Sequence, residues 1–527
     1  MNEKWIQKGN AQNLLEYVKS IHEEGFQEFV TKSKKYEIKR MNEIAEVLKQ
    51  ASATKTKVKI VGDYDCDGIT SLLNMTLICR YLQIPFELII PKRFSEGYGL
   101  SDKIIDRLDD GGILITIDNG ITAIDTIKKA KERGMYVIVI DHHVPLSVLP
   151  EADIIVDPHA IEGSADFDDY CGAGLAFKLA EYLIPKDSQI YAYINVFAMI
   201  GTVGDVVSLT EDNRQIVQAG LKYLQLGSCT NGLKALLTAL NKTSDITSET
   251  IAYYLSPAIN APGRLEDDGG KKVLSLLISD RAGVPTDEVI ALNEKRKTIS
   301  KDVMEQINFE DFATDTGICY FNPTIPEGLA GIIAGKIAEA TKKSTFVFTE
   351  VENNMAKGSG RNNAPYNIHL KKFLDEQSDL LAKYGGHKDA AGLSLPKDNI
   401  KALQQKLNEA TKDQVIDNSI YYDLELKAED VATTYYQMQL LEPFGEGNRK
   451  PMVRIKAQLG NKFGDKYRIL GEEKKHIKFM FRDFDAIAFG MAEKFDTDAT
   501  EIDMIGYLDK NVFKEKETIQ VLITDFC

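Results

Sequence analysis

Short apolar runs alternate with helix-like stretches along the first part of the chain. From about residue 55, runs rich in Val, Ile and Leu are separated by longer stretches whose apolar positions recur at helical spacing. Near-continuous apolar runs are typical of strands in a parallel sheet, because helices cover both faces of such a sheet. The pattern therefore predicts βαβ units with the strands VKIVG, FELII, ILITI and YVIVI.

Later regions have other patterns. Residues 211–310 look mainly helical and end in the charged stretch TDEVIALNEKRKTISKDVMEQI, which predicts a long connecting helix with a solvated face. Residues 311–412 return to an α/β pattern, and the short strand-like stretches of 413–527 predict an OB-like β-barrel. The predicted α/β protein thus has a parallel-sheet domain at 55–210 and an N-terminal helical segment at 1–54, beside the three regions just named.

Composition places the chain among globular proteins. Hydrophobic residues make up 43% of its 527 residues and charged residues 27%, and no apolar run approaches the ~20 residues that span a bilayer. The first residues lack the apolar core of a secretory signal, and the six cysteines form no C-x-x-C pair. We therefore expect a cytoplasmic protein with reduced thiols and no membrane partner.

The net charge limits how this chain would contact nucleic acid. A formal charge of −15 argues against a protein that coats nucleic acid through bulk positive charge. A few Lys or Arg side chains and bound metal ions are enough to hold a phosphate locally. Any contact with phosphate is therefore expected at a local groove.

Acidic residues and histidines follow three of the predicted strands at the point where each strand ends: Asp63, Asp65 and Asp67 after VKIVG, Asp118 after ILITI, and Asp141, His142 and His143 after YVIVI. A single Asp after a strand is usually a turn former or a helix cap, but capping does not explain so many. Ligands of open parallel sheets bind beyond the carboxyl ends of the strands, so we expect these side chains to meet there. The first three carboxylates share one face if their strand stays extended.

Clustered carboxylates repel one another unless a cation compensates them. The string DYDCDG also fits the start of an EF-hand calcium loop, but Asn74 stands where that loop needs a Glu, and a strand precedes Asp63. Asp and His ligands without thiolates suit Mn²⁺ or Mg²⁺. The sequence therefore predicts a divalent-metal site, to which Asp205, after an apolar helix-like stretch, is a further candidate ligand.

Two segments rich in Gly or Pro carry residues suited to phosphate, and both are interpreted as loops. SPAINAPGRLEDDGG contains Asn260 and Arg264, and KGSGRNNAPYN contains Ser359 and Arg361. A guanidinium fork matches a phosphate, and main-chain N–H groups of a Gly-rich loop can surround one. His387 follows two glycines in KYGGHKDAAGLSL, although a lone His is more often structural.

The motifs occur in the order DYDCDG, IDNG, DHH, GTVGD, NAPGR, GSGR and GGH. In this combination they resemble the DHH phosphoesterase superfamily, which is named for the string at Asp141, His142 and His143. With LEPFGEGNRKP and the OB-like tail, the chain is similar to RecJ-type single-strand-specific exonucleases over about residues 55–527. The resemblance implies a parallel-sheet DHH domain, a DHHA1-type substrate-binding domain and an OB-fold nucleic-acid-binding domain.

The resemblance also implies a role for each matching residue. Two ions, Mn²⁺ or Mg²⁺, would be held by Asp63, Asp65, Asp67, Asp118, His142 and Asp205. His143 would contact the scissile phosphate, and Asp141 would orient the two histidines. Substrate phosphate would be held by Asn260, Arg264, Ser359, Arg361 and His387.

The implied reaction is hydrolysis of single-stranded DNA in the 5′ to 3′ direction with release of mononucleotides, in recombination and repair. The implied partners are single-stranded DNA, a single-strand-binding protein and a helicase. Two alternatives stay open. One is an oligonucleotide or cyclic-dinucleotide phosphodiesterase, which would not need the barrel, and the other is a non-catalytic single-strand-binding component, against which the complete ligand set counts.

Overall fold

The structure is a computed structural model that describes residues 5–22, 24–161, 163–363, 367–460, 464–513 and 516–527. None of the helices in these ranges is both long and apolar enough to cross a membrane.

The described residues form nineteen strands: β1 (Trp5–Gln7), β2 (Val58–Val61), β3 (Phe86–Ile89), β4 (Ile113–Ile117), β5 (Tyr136–Ile140), β6 (Ile154–Val156), β7 (Ile318–Phe321), β8 (Thr345–Val351), β9 (Met355–Arg361), β10 (Lys383–Gly386), β11 (Ala390–Pro396), β12 (Ile420–Tyr422), β13 (Leu424–Lys427), β14 (Val453–Gln458), β15 (Tyr467–Leu470), β16 (His476–Met480), β17 (Asp485–Ala488), β18 (Glu501–Phe513) and β19 (Lys516–Phe526).

The same ranges contain eighteen α-helices: α1 (Leu14–Ile21), α2 (Phe26–Thr31), α3 (Met41–Thr54), α4 (Cys66–Tyr81), α5 (Asp102–Asp106), α6 (Ile124–Glu132), α7 (Gly172–Ala180), α8 (Gln189–Gly204), α9 (Glu211–Gln225), α10 (Asn231–Ala239), α11 (Ser248–Thr250), α12 (Ser256–Leu265), α13 (Gly269–Leu277), α14 (Asp287–Gln306), α15 (Ala330–Thr341), α16 (Leu370–Glu376), α17 (Ile400–Thr411) and α18 (Val431–Gln439).

The chain forms two compact units. The smaller unit contains the described residues within 1–35, 206–218 and 418–527, and the larger unit contains those within 36–205 and 219–417. Both sheets of the predicted α/β regions lie in the larger unit, and the predicted OB-like strands lie in the smaller one. The domain limits derived from the sequence stay predictions.

A parallel sheet carries the candidate metal ligands in the larger unit. Its strand order is β3-β2-β4-β5-β6, and every neighbouring pair is parallel. All residues of β2 and β4 are buried, as expected for strands covered on both faces. Lys59 is tolerated inside β2 because its ammonium donates to the carbonyls of Asp109 and Gly111. The predicted parallel sheet is confirmed, with β6 added because three apolar residues were too short a run to stand out.

The second sheet of the larger unit is mixed, in the order β10-β11-β9-β8-β7. The segment KGSGR, predicted as a loop, is most of β9, so that prediction is wrong. A Cβ on Gly358 would lie 2.4 Å from the ring of Phe348, and one on Gly360 would lie 2.4 Å from the ring of Phe346. The two glycines therefore make room for aromatic rings of β8 instead of forming a flexible turn.

Helices α9 to α14 occupy the predicted helical region, and the long connecting helix is confirmed as α14. SPAINAPGR was predicted as a loop, but it forms α12 and follows the π-helical turn Ile251–Leu255 without a break. Pro257 lies in the first turn of α12, where a missing N–H costs little. Pro262 lies near the end of the helix, so the two prolines did not mark a loop.

The smaller unit is built on a seven-stranded sheet in the order β13-β14-β18-β19-β17-β16-β15. This confirms the predicted OB-like strands, with β18 and β19 longer than expected. The edge strands β13 and β15 are not paired with each other among the described residues, so hydrogen bonds between these two strands do not close the OB-like sheet there. Its core contains apolar side chains from both long strands and from the N-terminal residues.

The N-terminal residues belong to this smaller unit. Strand β1 runs parallel to β12, with Trp5 opposite Ile420, and the Trp5 indole donates to Asp525 Oδ2 at 2.8 Å. Helix α1 buries Leu14 and Tyr17 in the same core. These residues, whose role the sequence did not reveal, are therefore structural parts of the unit that contains the OB-like strands.

Arg214 connects residues 206–218 to the rest of the smaller unit through hydrogen bonds and a contact with an aromatic ring. Its guanidinium donates to the carbonyls of Leu441 at 2.7 Å and Leu440 at 3.3 Å, just after α18. The guanidinium also lies 4.2 Å from the ring centroid of Phe29 in α2. One buried side chain thus contacts two separate helices of the smaller unit.

Candidate metal centre

The carboxyl ends of three adjacent strands bring the predicted acidic residues together. Asp63 follows β2, Asp118 follows β4 and Asp141 follows β5, and all three are almost fully buried. Asp205 reaches the same place as the C-terminal cap of α8. The predicted convergence at this edge of the parallel sheet is present in the structure.

Asp63, Asp65 and Asp67 converge through the start of a helix and not through an extended strand. Asp65 is the N-cap of α4 and accepts the N–H of Gly68 at 3.0 Å, and Asp67 lies in the first turn. A Cβ on Gly68 would lie 2.6 Å from the main chain of Asp63. The condition of an extended strand is therefore not met at Asp67, because Asp65 caps a helix that begins at Cys66.

His142 lies at the centre of the carboxylate cluster. Its Nε2 is 3.1 Å from an oxygen of Asp118, 3.7 Å from one of Asp205 and 3.8 Å from one of Asp67. Burial lowers the pKa of His142, which favours the neutral imidazole that metal ions bind.

Three overlapping groups of side chains have ligand atoms within 4.8 Å of one another: Asp118 with His142 and His143, Asp67 with His142 and Asp205, and Asp63 with Asp65 and Asp118. Asp118 and His142 each belong to two of these groups. The carboxylate of Asp118 has two oxygens and would be able to serve two cations, whereas His142 Nε2 would bind one.

The buried charge in this cluster fits a cation. Asp63 is 1% exposed, and its Oδ1 has no hydrogen-bond partner among the described residues. Burial raises the pKa of Asp63, Asp118 and Asp205 well above their usual range, and neighbouring carboxylates add to the effect. A divalent ion would satisfy the unpartnered oxygen and remove the repulsion, so the donor set fits Mn²⁺ or Mg²⁺.

Main-chain groups hold Asp67 in place. Its two oxygens accept the N–H groups of Gly172 at 2.6 Å and Ala173 at 2.9 Å, at the N-terminus of α7. Gly172 must be a glycine here, because a Cβ would lie 2.6 Å from the Cβ of Asp118. The tip of α7 is thus part of the metal centre.

Asp141 is the partner of His143 and not of the carboxylate cluster. Its Oδ1 lies 2.7 Å from His143 Nδ1, and its Oδ2 accepts the N–H of Ile121 at 2.9 Å. Burial opposes charge on both residues, but the hydrogen bond between them lowers the pKa of Asp141 and raises that of His143 to about 9. This pair therefore presents a cationic imidazole beside the metal ligands.

Two partly buried arginines, Arg264 and Arg361, lie close enough to interact, and Arg264 also interacts with Asp65. Burial and the charges of Arg93 and Arg361 lower the pKa of Arg264 to about 10. Arg264 Nη1 reaches the carbonyl of Gly328 at 3.4 Å, and Arg361 Nη1 donates to the carbonyl of Gly360 at 2.7 Å. Within the described residues, neither guanidinium forms an ion pair with a carboxylate, so both suit an added anion.

Three family models match successive parts of the chain. They describe the DHH family, N-terminal domain, over residues 57–202, the DHHA1 domain over 315–413 and the RecJ OB domain over 422–525. The chain therefore matches, in this order, a DHH N-terminal domain, a DHHA1 domain and a RecJ OB domain.

Named relatives extend this likeness to nearly the whole chain. It is 31% identical over 517 residues to the single-stranded-DNA-specific exonuclease RecJ of Bacillus subtilis (strain 168), covering 93% of this chain and 64% of that protein. It is 29% identical over 523 residues to the protein of the same name from Escherichia coli (strain K12), covering 91% of this chain and 88% of that protein. The chain thus spans less than two thirds of the B. subtilis relative.

A crystal structure of RecJ in complex with Mn²⁺ from Thermus thermophilus has the same fold. It matches with a TM-score of 0.80 at 25% sequence identity, over 95% of this chain and 74% of that one.

The residues predicted to bind phosphate do not all lie together. Ser359 lines a cavity of about 510 Å³ with Tyr64, Arg93 and Tyr384. The Oδ1 of Asn260 accepts the N–H of Cys66 at 2.8 Å, so this side chain supports the start of α4. No described contact joins the imidazole of the exposed His387, in the turn between β10 and β11, to the metal centre.

Sequence reasoning missed two residues in or beside the candidate site. Tyr98, in the segment EGYGL, lines the same cavity and hydrogen-bonds His143. Asp157 follows β6, and its buried Oδ2 has no hydrogen-bond partner among the described residues. Burial and the charge of Asp141 raise the pKa of Asp157 to about 7. The two glycines beside Tyr98 and an Asp after an apolar triplet were the available signals.

Proposed function

We propose that this protein is a metal-dependent exonuclease that hydrolyses single-stranded DNA in the 5′ to 3′ direction and releases mononucleotides, in DNA recombination and repair. The observation that carries the proposal is the buried cluster of carboxylates around His142, in which an oxygen of Asp63 lacks a partner among the described residues. The RecJ proteins of B. subtilis and E. coli, whose names state specificity for single-stranded DNA, support the choice of substrate.

Two Mn²⁺ or Mg²⁺ ions are the proposed cofactor, and their ligands would be Asp63, Asp65, Asp67, Asp118, His142 and Asp205. When bound, such ions lower the pKa of a water molecule and stabilise charge on the attacking and leaving oxygens. The Mn²⁺ in the T. thermophilus RecJ structure supports this assignment. Imidazole together with carboxylate oxygens suits Mn²⁺.

His143 is the proposed contact to the scissile phosphate. Asp141 holds Nδ1 of the ring, so Nε2 is the atom that would donate a hydrogen bond to a phosphate oxygen. The raised pKa of His143 favours the doubly protonated ring that this role needs. Asp141 is the proposed positioning partner, because its carboxylate fixes the ring and adds to its positive charge.

A terminal 5′-phosphate is the proposed ligand of Arg264 and Arg361, with Ser359, Asn260 and His387 as further proposed phosphate contacts. The support is electrostatic: burial and the charge of Arg93 disfavour the charge on Arg264 more strongly than Asp65 favours it, and Arg264 forms no ion pair among the described residues. An anion that enters from solvent would relieve this repulsion. Selection of a phosphorylated end would give the enzyme its polarity.

The bases would lie in the cavity of about 510 Å³, whose walls include Tyr64, Tyr98 and Tyr384. Aromatic side chains bind single strands by stacking, without sequence preference. A helicase and a single-strand-binding protein are proposed partners, since a helicase produces single strands and a single-strand-binding protein binds them. The cytoplasm is the proposed location, and the six unpaired cysteines are consistent with it.

The test is cleavage of a single-stranded oligonucleotide labelled at its 5′ or its 3′ end, with Mn²⁺, with Mg²⁺ or with chelator. We expect immediate mononucleotide release from the 5′ label, no cleavage with chelator, and no cleavage of blunt duplex. Arg361→Gln should lose the preference for a 5′-phosphate over a 5′-hydroxyl. Arg281→Gln, which changes an exposed arginine outside the site, is the matched control.

Two results would contradict the proposal. Intact long strands together with hydrolysed di- or trinucleotides would indicate a small-substrate phosphodiesterase. Binding of single-stranded DNA without turnover at any metal concentration would indicate a non-catalytic binding protein.

A further inference from the structure

The hydroxyl of Tyr98 joins two residues of the metal centre that are far apart in sequence. It lies 3.1 Å from the main-chain oxygen of Asp118 and 3.0 Å from Nε2 of His143. A carbonyl oxygen only accepts, so the hydroxyl donates its single proton to Asp118. The hydrogen bond to His143 then runs in the other direction, from Nε2 to the hydroxyl oxygen.

This arrangement fixes the ring of His143 at both nitrogens. Nδ1 is 2.7 Å from an oxygen of Asp141, and Nε2 faces Tyr98 on the other side. The rings of Tyr98 and His143 meet edge to face, with centroids 5.7 Å apart and an interplanar angle of 74°. The ring therefore cannot rotate without breaking a hydrogen bond.

The conformation and the hydrogen bonds of the main chain around Tyr98 fix the position of this residue. Gly97 and Gly99 flank it, with φ angles of 91° and 61° that disfavour other residues. The side chain of Asn119 accepts the N–H of Leu100 at 3.1 Å and donates to the carbonyl of Val61 at 3.1 Å. The loop that carries Tyr98 is thus tied to the ends of β2 and β4, from which the metal ligands project.

Tyr98 also contacts the space that substrate would occupy. Its side chain is 49% exposed and lines the cavity beside Arg93 and Ser359, while its hydroxyl points back to His143. The ring can therefore contact substrate in the cavity while the hydroxyl contacts His143. Phenylalanine keeps the ring and removes only the hydroxyl.

We propose that Tyr98 is a positioning residue for phosphodiester hydrolysis, whose hydroxyl holds His143 Nε2–H in the orientation from which this proton passes to an oxygen of the scissile phosphate when substrate binds. The proposal rests on the function proposed above. By also holding the carbonyl of Asp118, the hydroxyl links the orientation of His143 to the main chain of a metal ligand. Misdirecting Nε2 weakens a contact needed in the transition state more than it weakens substrate binding.

The kinetic test is a double-mutant cycle of Tyr98→Phe and His143→Ala with a single-stranded DNA substrate and saturating Mn²⁺. We expect Tyr98→Phe to lower kcat by about tenfold with KM changed by less than about twofold. In the His143→Ala background the same substitution should change kcat by less than about twofold, since the residue it positions is gone. Tyr136→Phe removes a hydroxyl at the opposite end of β5 and should leave both constants unchanged.

The second readout does not depend on activity. In protein with ¹⁵N-labelled histidine, the Nε2–H signal of His143 is assigned by its absence from the His143→Ala variant. We expect Tyr98→Phe to shift this signal or broaden it beyond detection, and Tyr136→Phe to leave it unchanged.

An unchanged His143 signal in Tyr98→Phe would overturn the positioning role, whatever the activity of the protein. Equal losses from Tyr98→Phe in both backgrounds, or a change in KM alone, would also overturn it and would assign the hydroxyl to substrate binding. Absence of cleavage by the wild-type protein, with the His143 signal still dependent on Tyr98, would contradict the exonuclease function and keep the link between the two residues.

Discussion

Gly172 donates its main-chain N–H to Asp67 Oδ2 across 2.6 Å. Helix N-termini with free N–H groups often bind phosphate or another anion from solution. In this chain the tip of α7 binds a carboxylate of the protein itself, and that carboxylate lies 3.8 Å from His142. The main chain of α7 therefore helps to set the geometry of the proposed metal ligands.

The first prediction concerns this helix tip. Gly172→Ala should lower exonuclease activity by at least about 100-fold, because the new Cβ would lie 2.6 Å from the Cβ of Asp118 and displace this ligand. Gly174→Ala is the matched control, since its Cβ would meet the nearest atom at an ordinary 3.5 Å. Steady-state cleavage and circular dichroism of both variants check this. Equal activities would contradict the assigned role of α7.

The second prediction separates metal binding from folding. Asp118→Asn should abolish cleavage and remove the thermal stabilisation that Mn²⁺ gives the wild-type protein. In chelator, the same variant should melt roughly 2–4 °C above wild type, because one of several repelling buried carboxylates is neutralised. Differential scanning fluorimetry measures both effects, with Asp187→Asn at an exposed site as control. If the variant melts below wild type in chelator, the buried carboxylates around Asp118 do not repel one another enough to destabilise the metal-free protein.

The third prediction concerns Asp157 and pH. Its pKa is raised from 3.8 to about 7 in the folded protein by burial and by Asp141, so the folded state binds the proton more tightly than the unfolded state. Protonated Asp157 therefore makes its full contribution to the free energy of unfolding below about pH 4, and this contribution is lost as the pH rises through about 7. Asp157→Asn should gain about 2–3 kcal/mol relative to wild type between pH 5 and pH 8. Urea unfolding at the two pH values tests this, and a constant difference would disprove it.

The fourth prediction concerns the smaller unit. Arg214→Lys should destabilise this unit by about 1–2 kcal/mol, since an ammonium cannot both bond two carbonyls and stack on Phe29. Hydrogen exchange of α18 should accelerate in the variant. Arg468→Lys, at a side chain that is 66% exposed, should leave exchange unchanged. Faster exchange in both variants would contradict the assignment of this effect to the contacts of Arg214.

The sequence predicted the parallel sheet and the convergence of most candidate metal ligands because those features depend on short-range pattern. Strands β4 and β5 coincide with the runs ILITI and YVIVI, and their ends carry Asp118 and His142 at neighbouring positions of the sheet. The family models confirm the recognition of a DHH domain, a DHHA1 domain and an OB domain. The assigned roles of individual site residues stay predictions.

The features that the sequence did not predict depend on contacts between distant segments. Gly358 and Gly360 suggested a loop, and only the rings of β8 explain why glycines stand in a strand. Tyr98 gave no chemical signal, because its importance comes from one carbonyl and one imidazole that lie 20 and 45 residues away. Composition and periodicity contain no information about such pairs.

Because β1 pairs with β12, the first strand of the chain cannot reach its folded position until most of the chain has been synthesised. Trp5 leaves the exit tunnel early, but its partner Ile420 follows more than 400 residues later. At roughly 5–20 residues per second, the first strand waits about 20–100 s without a partner, while the larger unit is completed. The nascent N-terminus must therefore stay open to late pairing, and a chaperone that covers apolar segments would have this interval in which to bind it.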